Sequence, residues 1–273
     1  MSAPARVVVK VGGDVLGGEA LGLVAREMAR ARVGRRMVIV HGGGPQATEL
    51  SRRLGLEPKI VGGRRVTDAA TLDVMKMVVA GKLNVDLCAA LRGEGVPAVG
   101  VSGTSGVIRA KKRPPRVVSG GGAEPVDFGF VGDVESFDVD LLAALELAGY
   151  VPVIACLGTA AGADVAGGVL NINADVVASQ LAGALKADTL VACTAVGGVR
   201  RDRDDPASRL ARLTVAEARA AIAAGTVAGG MIPKLEEAFA SLEAGVGAVH
   251  IVGAGEIAAS LEEPGSVGTL LVG

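Results

Sequence analysis

The chain has 273 residues, half of them hydrophobic, with 21% charged and a formal net charge of −1. That is enough apolar material for one or two lobes whose core needs no disulfide or metal clip. Four Phe, one Tyr and no Trp leave no platform for stacking bases, and the near-neutral balance exerts no pull on polyanions, so nucleic acid is excluded as a partner.

The opening MSAPARVVVKVGG carries no apolar run behind a basic segment, so no secretory signal is expected. No apolar stretch approaches the ~20 residues of a membrane helix, so no membrane association is expected. Cys88, Cys156 and Cys193 lie far apart in apolar surroundings. Such spacing fits buried free thiols in a reducing, cytoplasmic compartment, not a disulfide framework or a metal centre.

Residues 6–11 (RVVVKV) are β-branched, apolar on both faces, and predict a buried strand. The strand runs into Lys10-Val11-Gly12-Gly13. A solvated lysine is out of place inside an apolar strand; the alternative is a strand-end lysine whose ammonium reaches water. Residues 18–32 have helical spacing, and residues 36–40 predict a second strand ending in His41-Gly42-Gly43-Gly44. Glycine turns at strand ends bring backbone N–H groups close to an anion, and a helix starting behind them adds its positive end. In an open α/β sheet, ligands sit at that carboxyl edge. Neither turn matches G-x-x-x-x-G-K-[ST] or G-x-G-x-x-G, so neither a P-loop nor a dinucleotide fingerprint is present.

Residues 56–67 (LEPKIVGGRRVT) predict a hairpin with Gly62-Gly63 at its turn. Residues 68–94 predict a long helix whose Val74, Met77, Val78, Leu83 and Leu87 stripe is core-forming, and residues 98–101 a strand. Residues 107–134, with KKRPPR and SGGG, predict further hairpins. Their basic run of Arg109, Lys111, Lys112, Arg113 and Arg116 reads as a solvated face. A helix at 138–148 and a strand at 151–156 follow. A small-residue loop at 158–168 then opens a second lobe, dividing the chain into residues 1–158 and 159–273.

In that second lobe, Val169-Leu170-Asn171-Ile172-Asn173-Ala174-Asp175 puts two amides and a carboxylate at alternating positions before a helix at 174–185. Asn173 as helix cap and Asp175 as first-turn acid explain two of the three, and leave Asn171 unexplained. A strand at 189–194 follows, and then Gly229-Gly230-Met231-Ile232-Pro233-Lys234. Lys234 stands near a helix N-terminus, where a cation is disfavoured, so it calls for an anion. The last strand is 248–252. His41 and His250 read as packed side chains. Short buried strands alternating with helices predict an α/β, three-layer αβα sandwich around a mainly parallel sheet. Its crossovers should be right-handed, and both lobes should share the sheet because no flexible linker separates them.

With KVGG, HGGG, GRRVT, LNINAD and GGMIPK in this order, the chain resembles the amino acid kinase family over essentially its whole length. Within it, HGGGPQ, then GRRVTD, then AGKLN, and the segment VDFGFVGDV resemble the branch that acts on N-acetyl-L-glutamate. The resemblance implies a carbamate kinase-like fold and transfer of the γ-phosphate of ATP to a side-chain carboxylate. It also implies a Mg²⁺ ion carried by the nucleotide with no dedicated protein site, and a homodimer using part of the long helix. By the same resemblance Lys10 and Lys234 stabilise the transferring phosphoryl group, and Asp175 holds both lysines. Gly43, Gly44, Arg65, Asn171 and Asn173 bind the acylated amino acid under the hairpin lid, Arg65 taking the α-carboxylate with both prongs. Gly12, Gly13, Ala195, Val196, Gly197, Gly198, Val199, Arg200, Thr226, Val227, Ala228 and Gly230 form the phosphate and nucleotide site. A carboxylate nucleophile needs no general base, so positioning and charge stabilisation suffice.

The chain departs from the family pattern in three places. Ala195 follows Thr194 where an acidic residue is usual, Thr104-Ser105 replaces a pair with Asp, and the first strand starts within about six residues of the start, a feature of arginine-insensitive dimers. Two rival expectations remain. The basic run could dock an acidic carrier, giving a carrier-linked aminoadipate kinase, or the Ala195 change could mark a kinase fold that binds without catalysis.

Overall fold

Four β-branched side chains, Val7, Val8, Val9 and Val11, are fully buried, which places strand β1 (Arg6–Val11) at the centre of an eight-stranded sheet. The computed structural model describes residues 4–117, 124–160, 168–202 and 204–273. The sheet also contains β2 (Arg36–His41), β5 (Ala98–Ser102), β8 (Val151–Ala155), β11 (Thr189–Cys193), β12 (Arg212–Thr214), β13 (Ala248–Val252) and β14 (Thr269–Val272). Their order is β12-β14-β13-β11-β1-β2-β8-β5, and every neighbouring pair is parallel except β13 and β14. Strands from both halves of the chain therefore stand in one sheet.

Helices cover both faces. Helices α1 (Gly18–Ala31), α4 (Asn84–Gly93) and α9 (Ile257–Glu262) pack together, as do α6 (Ala174–Ala184) and α8 (Met231–Glu243). The others are α2 (Gly44–Arg53), α3 (Ala69–Met75), α5 (Val139–Leu147) and α7 (Val215–Ala223). A second sheet, in the order β10-β9-β6-β7, is built from β6 (Ile108–Lys112), β7 (Gly132–Phe137), β9 (Leu157–Ala160) and β10 (Val169–Asn171). The hairpin is β3 (Ile60–Val61) and β4 (Arg64–Arg65), with Gly62 and Gly63 at positive φ in its turn.

All six apolar runs expected as strands are strands, but several expectations need correction. The strand at 248–252 is not the last, since β14 follows it, and Met77 of the expected core stripe is exposed. Residues 157–160 open no loop; they are β9. Gly158 is there for close packing, since a Cβ on it would meet Ile172 Cδ1 at 2.6 Å and Ala110 Cβ at 2.9 Å. The rest of the expected loop, 161–167, and the SGGG segment lie outside the described residues. The long helix is unbroken but changes its winding: Lys76–Leu83 is a π-helical stretch between α3 and α4. Finally, Cys88 is half-buried while Cys156 and Cys193 are buried.

The π-helical stretch and the second glycine turn are in direct contact. A Cβ on Gly43 would lie 2.6 Å from Leu83 Cδ1 and 3.1 Å from Val79 Cγ2, so a side chain there would force these buried residues to move. Beneath the turn, His41 is fully buried, with Nε2 3.0 Å from Asn84 Nδ2 and Nδ1 3.0 Å from the Gly42 carbonyl. The Asn84 amide donates to His41 Nε2 and to the Val153 carbonyl at 2.9 Å, which leaves the ring proton on Nδ1.

Both histidines are packed, and burial lowers the pKa of each, that of His250 to about 4. A histidine kept neutral in the fold takes up a proton on unfolding once the pH drops below its ordinary ~6.5. Stability should therefore be fully present at pH 7 and fall as the pH decreases, with His250 alone accounting for about 2 kcal/mol by pH 5. Urea midpoints at pH 7 and pH 5 check this. His250→Gln should remove a clear part of the difference, and an unchanged difference would contradict the buried, neutral state.

Candidate active site

Lys10 is only 5% exposed on β1, flanked in register by Val40 and Ala192 on the neighbouring strands. Its ammonium is compensated by Asp175 Oδ1 at 2.7 Å, in the first turn of α6. At the other end of β1, Arg6 donates to the Leu185 carbonyl, just past the end of α6, at 2.8 Å. The helix thus runs antiparallel to β1, with its N-terminus at the carboxyl edge of the sheet. Lys234, in the first turns of α8, lines a small recess with Lys10, Asp175 and Glu237. Among the described residues no carboxylate lies within 4 Å of its ammonium, so Asp175 makes its direct bond to Lys10 and reaches Lys234 through the field alone.

The electrostatics follow from this crowding. Burial pushes the Asp175 carboxyl up, but Lys10 and Lys234 outweigh it and hold the group below its ordinary value. Asp175 is then ionised at neutral pH and too weak a base to take a proton. Burial lowers the Lys234 pKa, helped by Lys10 and opposed by Asp175 and Asp14. Burial raises that of Glu237, helped by the Asp175 charge. Cys156 borders the adjoining cavity with its pKa pushed up to about 12 by burial, so it is a neutral thiol and no nucleophile.

That cavity, about 460 Å³, opens beside the pair and is bordered by Lys10, Gly13, Gly42, Gly43, Gly44, Thr48, Arg64, Arg65, Arg113, Asn171, Asn173 and Asp175. Gly13 begins a 3₁₀ turn (Gly13–Val15) and Gly44 begins α2, so their N–H groups have no partner within those helices. The hairpin strand β4 supplies Arg65. Its guanidinium does not present the expected fork, because its NH2 donates to the Gly44 carbonyl at 2.9 Å and to Thr48 Oγ1 at 2.6 Å. Arg65 NH1 is buried with no partner. Asn171 donates to Thr67 Oγ1 at 3.1 Å, tying β10 to the end of the hairpin. Asn173 has the capping role: its Oδ1 accepts from the N–H groups of Asp175 at 2.7 Å and Val176 at 3.3 Å.

Of the residues expected around the nucleotide, Gly13 borders this cavity and the others do not. None of Gly12, Ala195, Val196, Gly197, Gly198, Val199, Arg200, Thr226, Val227, Ala228 or Gly230 borders it. Val199 and Val227 are core residues, so only their backbones are available to a ligand. At the departure after Thr194, the Ala195 N–H donates to Asp14 Oδ2 at 2.8 Å, so a carboxylate from the first turn reaches across to the loop. Thr104 and Ser102 share a 2.7 Å hydroxyl contact in their own turn and do not border the cavity. Among the described residues no group of three or more His, Cys, Asp or Glu side chains is suited to hold a metal ion.

Sequence reasoning missed Thr48, Thr67 and above all Arg113. The basic run is not uniformly solvated: Arg109, Lys111, Lys112 and Arg116 are exposed, but Arg113 is buried and ion-paired to Asp133 at 2.6 Å. The one available signal was the aspartate in GFVGDV, 20 residues further on.

The pattern of the amino acid kinase family matches residues 5–253. The chain belongs to this family. Acetylglutamate kinases from Anaeromyxobacter sp. (strain K) and Sorangium cellulosum (strain So ce56) are each 55% identical to it, over 98% and 99% of this chain and 98% and 96% of their own lengths. Among solved structures, N-acetylglutamate synthase from Neisseria gonorrhoeae, complexed with coenzyme A and N-acetyl-glutamate, matches with a TM-score of 0.82 at 27% identity. That match covers 99% of this chain and 60% of the synthase, so the chain spans about three-fifths of that protein. Carbamate kinase from Giardia lamblia bound to AMP-PNP shares the fold, with a TM-score of 0.71 at 18% identity over 100% of this chain and 99% of its own. The αβα architecture around the mixed, mostly parallel sheet is thus that of the family.

The Lys10–Asp175 pair gives a direct stability test. Asp175→Asn leaves a buried ammonium without its counter-charge and should cost about 1–3 kcal/mol. Adding Lys10→Met removes the orphaned charge and should recover most of the loss in thermal or urea unfolding. Strictly additive losses would contradict the pairing.

Proposed function

We propose that the chain transfers the γ-phosphate of ATP to the side-chain carboxylate of N-acetyl-L-glutamate, the acyl-phosphate-forming step of arginine biosynthesis. The observation that carries this is the gathering of Lys10, Asp175 and Lys234 beside a cavity with glycine-turn N–H groups and an unpartnered Arg65 nitrogen. The similarity to acetylglutamate kinases over nearly the full length supports the choice of acid.

The chemistry asks little of the protein. The attacking carboxylate is ionised at neutral pH, and MgATP enters as the co-substrate with its metal on the phosphates. As the phosphoryl group leaves ADP, charge builds on its oxygens, and Lys10, Lys234 and the Gly13 and Gly44 N–H groups are placed to meet it. Asp175 fixes Lys10 and keeps net charge in the cleft from becoming repulsive. Gly43, Gly44, Arg65, Asn171 and Asn173 make the amino acid side, and loops 195–200 and 226–230 with Gly12 the nucleotide side. In this reading residues 1–158 carry most of the acid site and residues 159–273 the nucleotide site. Exposed Met77 and Val85 on the long helix support a two-fold contact between copies. Burial of Arg113 weakens the carrier-docking alternative, because it takes one arginine of the basic run off the surface.

An ATP-dependent hydroxamate assay with N-acetyl-L-glutamate, L-glutamate and 2-aminoadipate tests the proposal. The first should react at least tenfold better than the others. Lys10→Ala and Lys234→Ala should each lower kcat by on the order of 100-fold or more. Equal turnover of another acid would overturn the substrate, and near-normal kcat in both variants would overturn the mechanism.

A further inference from the structure

The amino acid cavity has a second buried guanidinium. Arg113 is 5% exposed and borders the same cavity as Arg65. Its orientation is set from behind: Nε and NH2 both donate to Asp133 Oδ1, at 2.9 and 2.6 Å, and its backbone N–H donates to the Val131 carbonyl at 2.9 Å. Nε and NH2 are therefore spent on Asp133, with NH2 also 3.5 Å from the Gly132 carbonyl, and NH1 is the nitrogen these bonds leave over.

Arg65 is in a matching situation. Both hydrogens of its NH2 are taken by Gly44 and Thr48, and NH1 is buried and unpartnered. Both bidentate modes of a guanidinium, end-on and side-on, use NH2. Arg65 alone can therefore meet a carboxylate with one nitrogen only, which leaves the second oxygen of a bound anion short of a donor. A buried carboxylate with an unmet oxygen is costly, so a second cationic donor on the same cavity, beside the Asn171 amide and the glycine-turn N–H groups, stabilises the bound anion.

We propose that Arg113 is a substrate ligand that shares the non-reacting α-carboxylate of the acylated amino acid with Arg65, each guanidinium giving one nitrogen. The inference rests on the N-acetyl-L-glutamate reading above and deepens it: the two half-used arginines make a composite clamp for a dianionic acid, and Asp133 is the positioning residue that aims one of them. A merely structural Arg113–Asp133 pair would have no reason to distinguish substrates that differ only in that carboxylate.

The test compares N-acetyl-L-glutamate with its α-carboxamide, which keeps the reacting γ-carboxylate and loses the α-charge. The wild-type chain should prefer the acid strongly in kcat/KM. Arg113→Met should shrink that preference roughly tenfold or more, mainly through the KM of the acid, with the KM for ATP unchanged within about twofold. Arg113→Lys, which keeps the charge but not the Asp133 fork, should fall between the two. If Arg113→Met does not fold, the same comparison with Arg113→Lys and Asp133→Asn decides, and a preference as large as wild type in both overturns the proposal. Equal loss on acid and amide in Arg113→Met would likewise reduce the residue to a structural role. Should the wild-type chain not phosphorylate N-acetyl-L-glutamate at all, the substrate reading fails first. Equilibrium binding of acid and amide to wild type and Arg113→Lys then still decides whether Arg113 recognises the α-carboxylate.

Discussion

A lysine ammonium buried in the central strand of a parallel sheet is tolerable only with a carboxylate against it, and that constraint organises this molecule. Lys10 cannot be neutralised from its own strand or from the apolar strands beside it. The counter-charge has to come from the layer above, and Asp175 supplies it from the first turn of α6. Fixing that contact sets the N-terminus of α6 at the carboxyl edge of β1, while Arg6 on the Leu185 carbonyl fixes the other end. The result is a cation, a helix N-terminus and two glycine turns at one edge, which is where an anion is best bound.

The glycine turn after β2 is held by a separate device. His41 donates from Nδ1 to the Gly42 carbonyl, and in a trans peptide the following N–H points the opposite way, so the Gly43 N–H is turned away from the ring. Asn84 locks the His41 tautomer and ties the turn to β8 through Val153. From above, Leu83 and Val79 of the π-helical stretch close over Gly43. A turn pinned on two sides keeps its amides in place before any ligand arrives, and preorganised dipoles of this kind lower a barrier because nothing has to reorient during the reaction.

Most of the main sheet was legible in the sequence because strands buried on both faces leave uninterrupted β-branched runs, and such runs mark β1, β2, β8, β11 and β13; the short edge-side strands β12 and β14 were not read. Strands β9 and β10 were not, since each is only three or four residues and Gly158 looks like a loop residue until the Ile172 and Ala110 side chains packed on it are seen. At the site, the isolated lysine in an apolar strand and the alternation in LNINAD both stood out in the sequence, and both border the cavity. The donor accounting was not: nothing local says that Arg65 spends NH2 on Gly44 and Thr48, or that Arg113, amid exposed basic neighbours, turns inward to an aspartate 20 residues away. Charge runs look solvated because their partners lie elsewhere in the chain, and only tertiary packing reveals which member is not.

Two ammonium groups from opposite halves of the chain, with Asp175 as their shared anion, are the centre of the proposed mechanism. The most direct test is a crystal structure with AMP-PNP, Mg²⁺ and N-acetyl-L-glutamate bound together. Lys10 Nζ and Lys234 Nζ should both lie within ordinary hydrogen-bond distance, ~3 Å, of oxygens on the terminal phosphoryl group, with Asp175 still on Lys10. A terminal phosphate bound elsewhere, or Lys234 turned out to solvent while both ligands occupy the cleft, would contradict it.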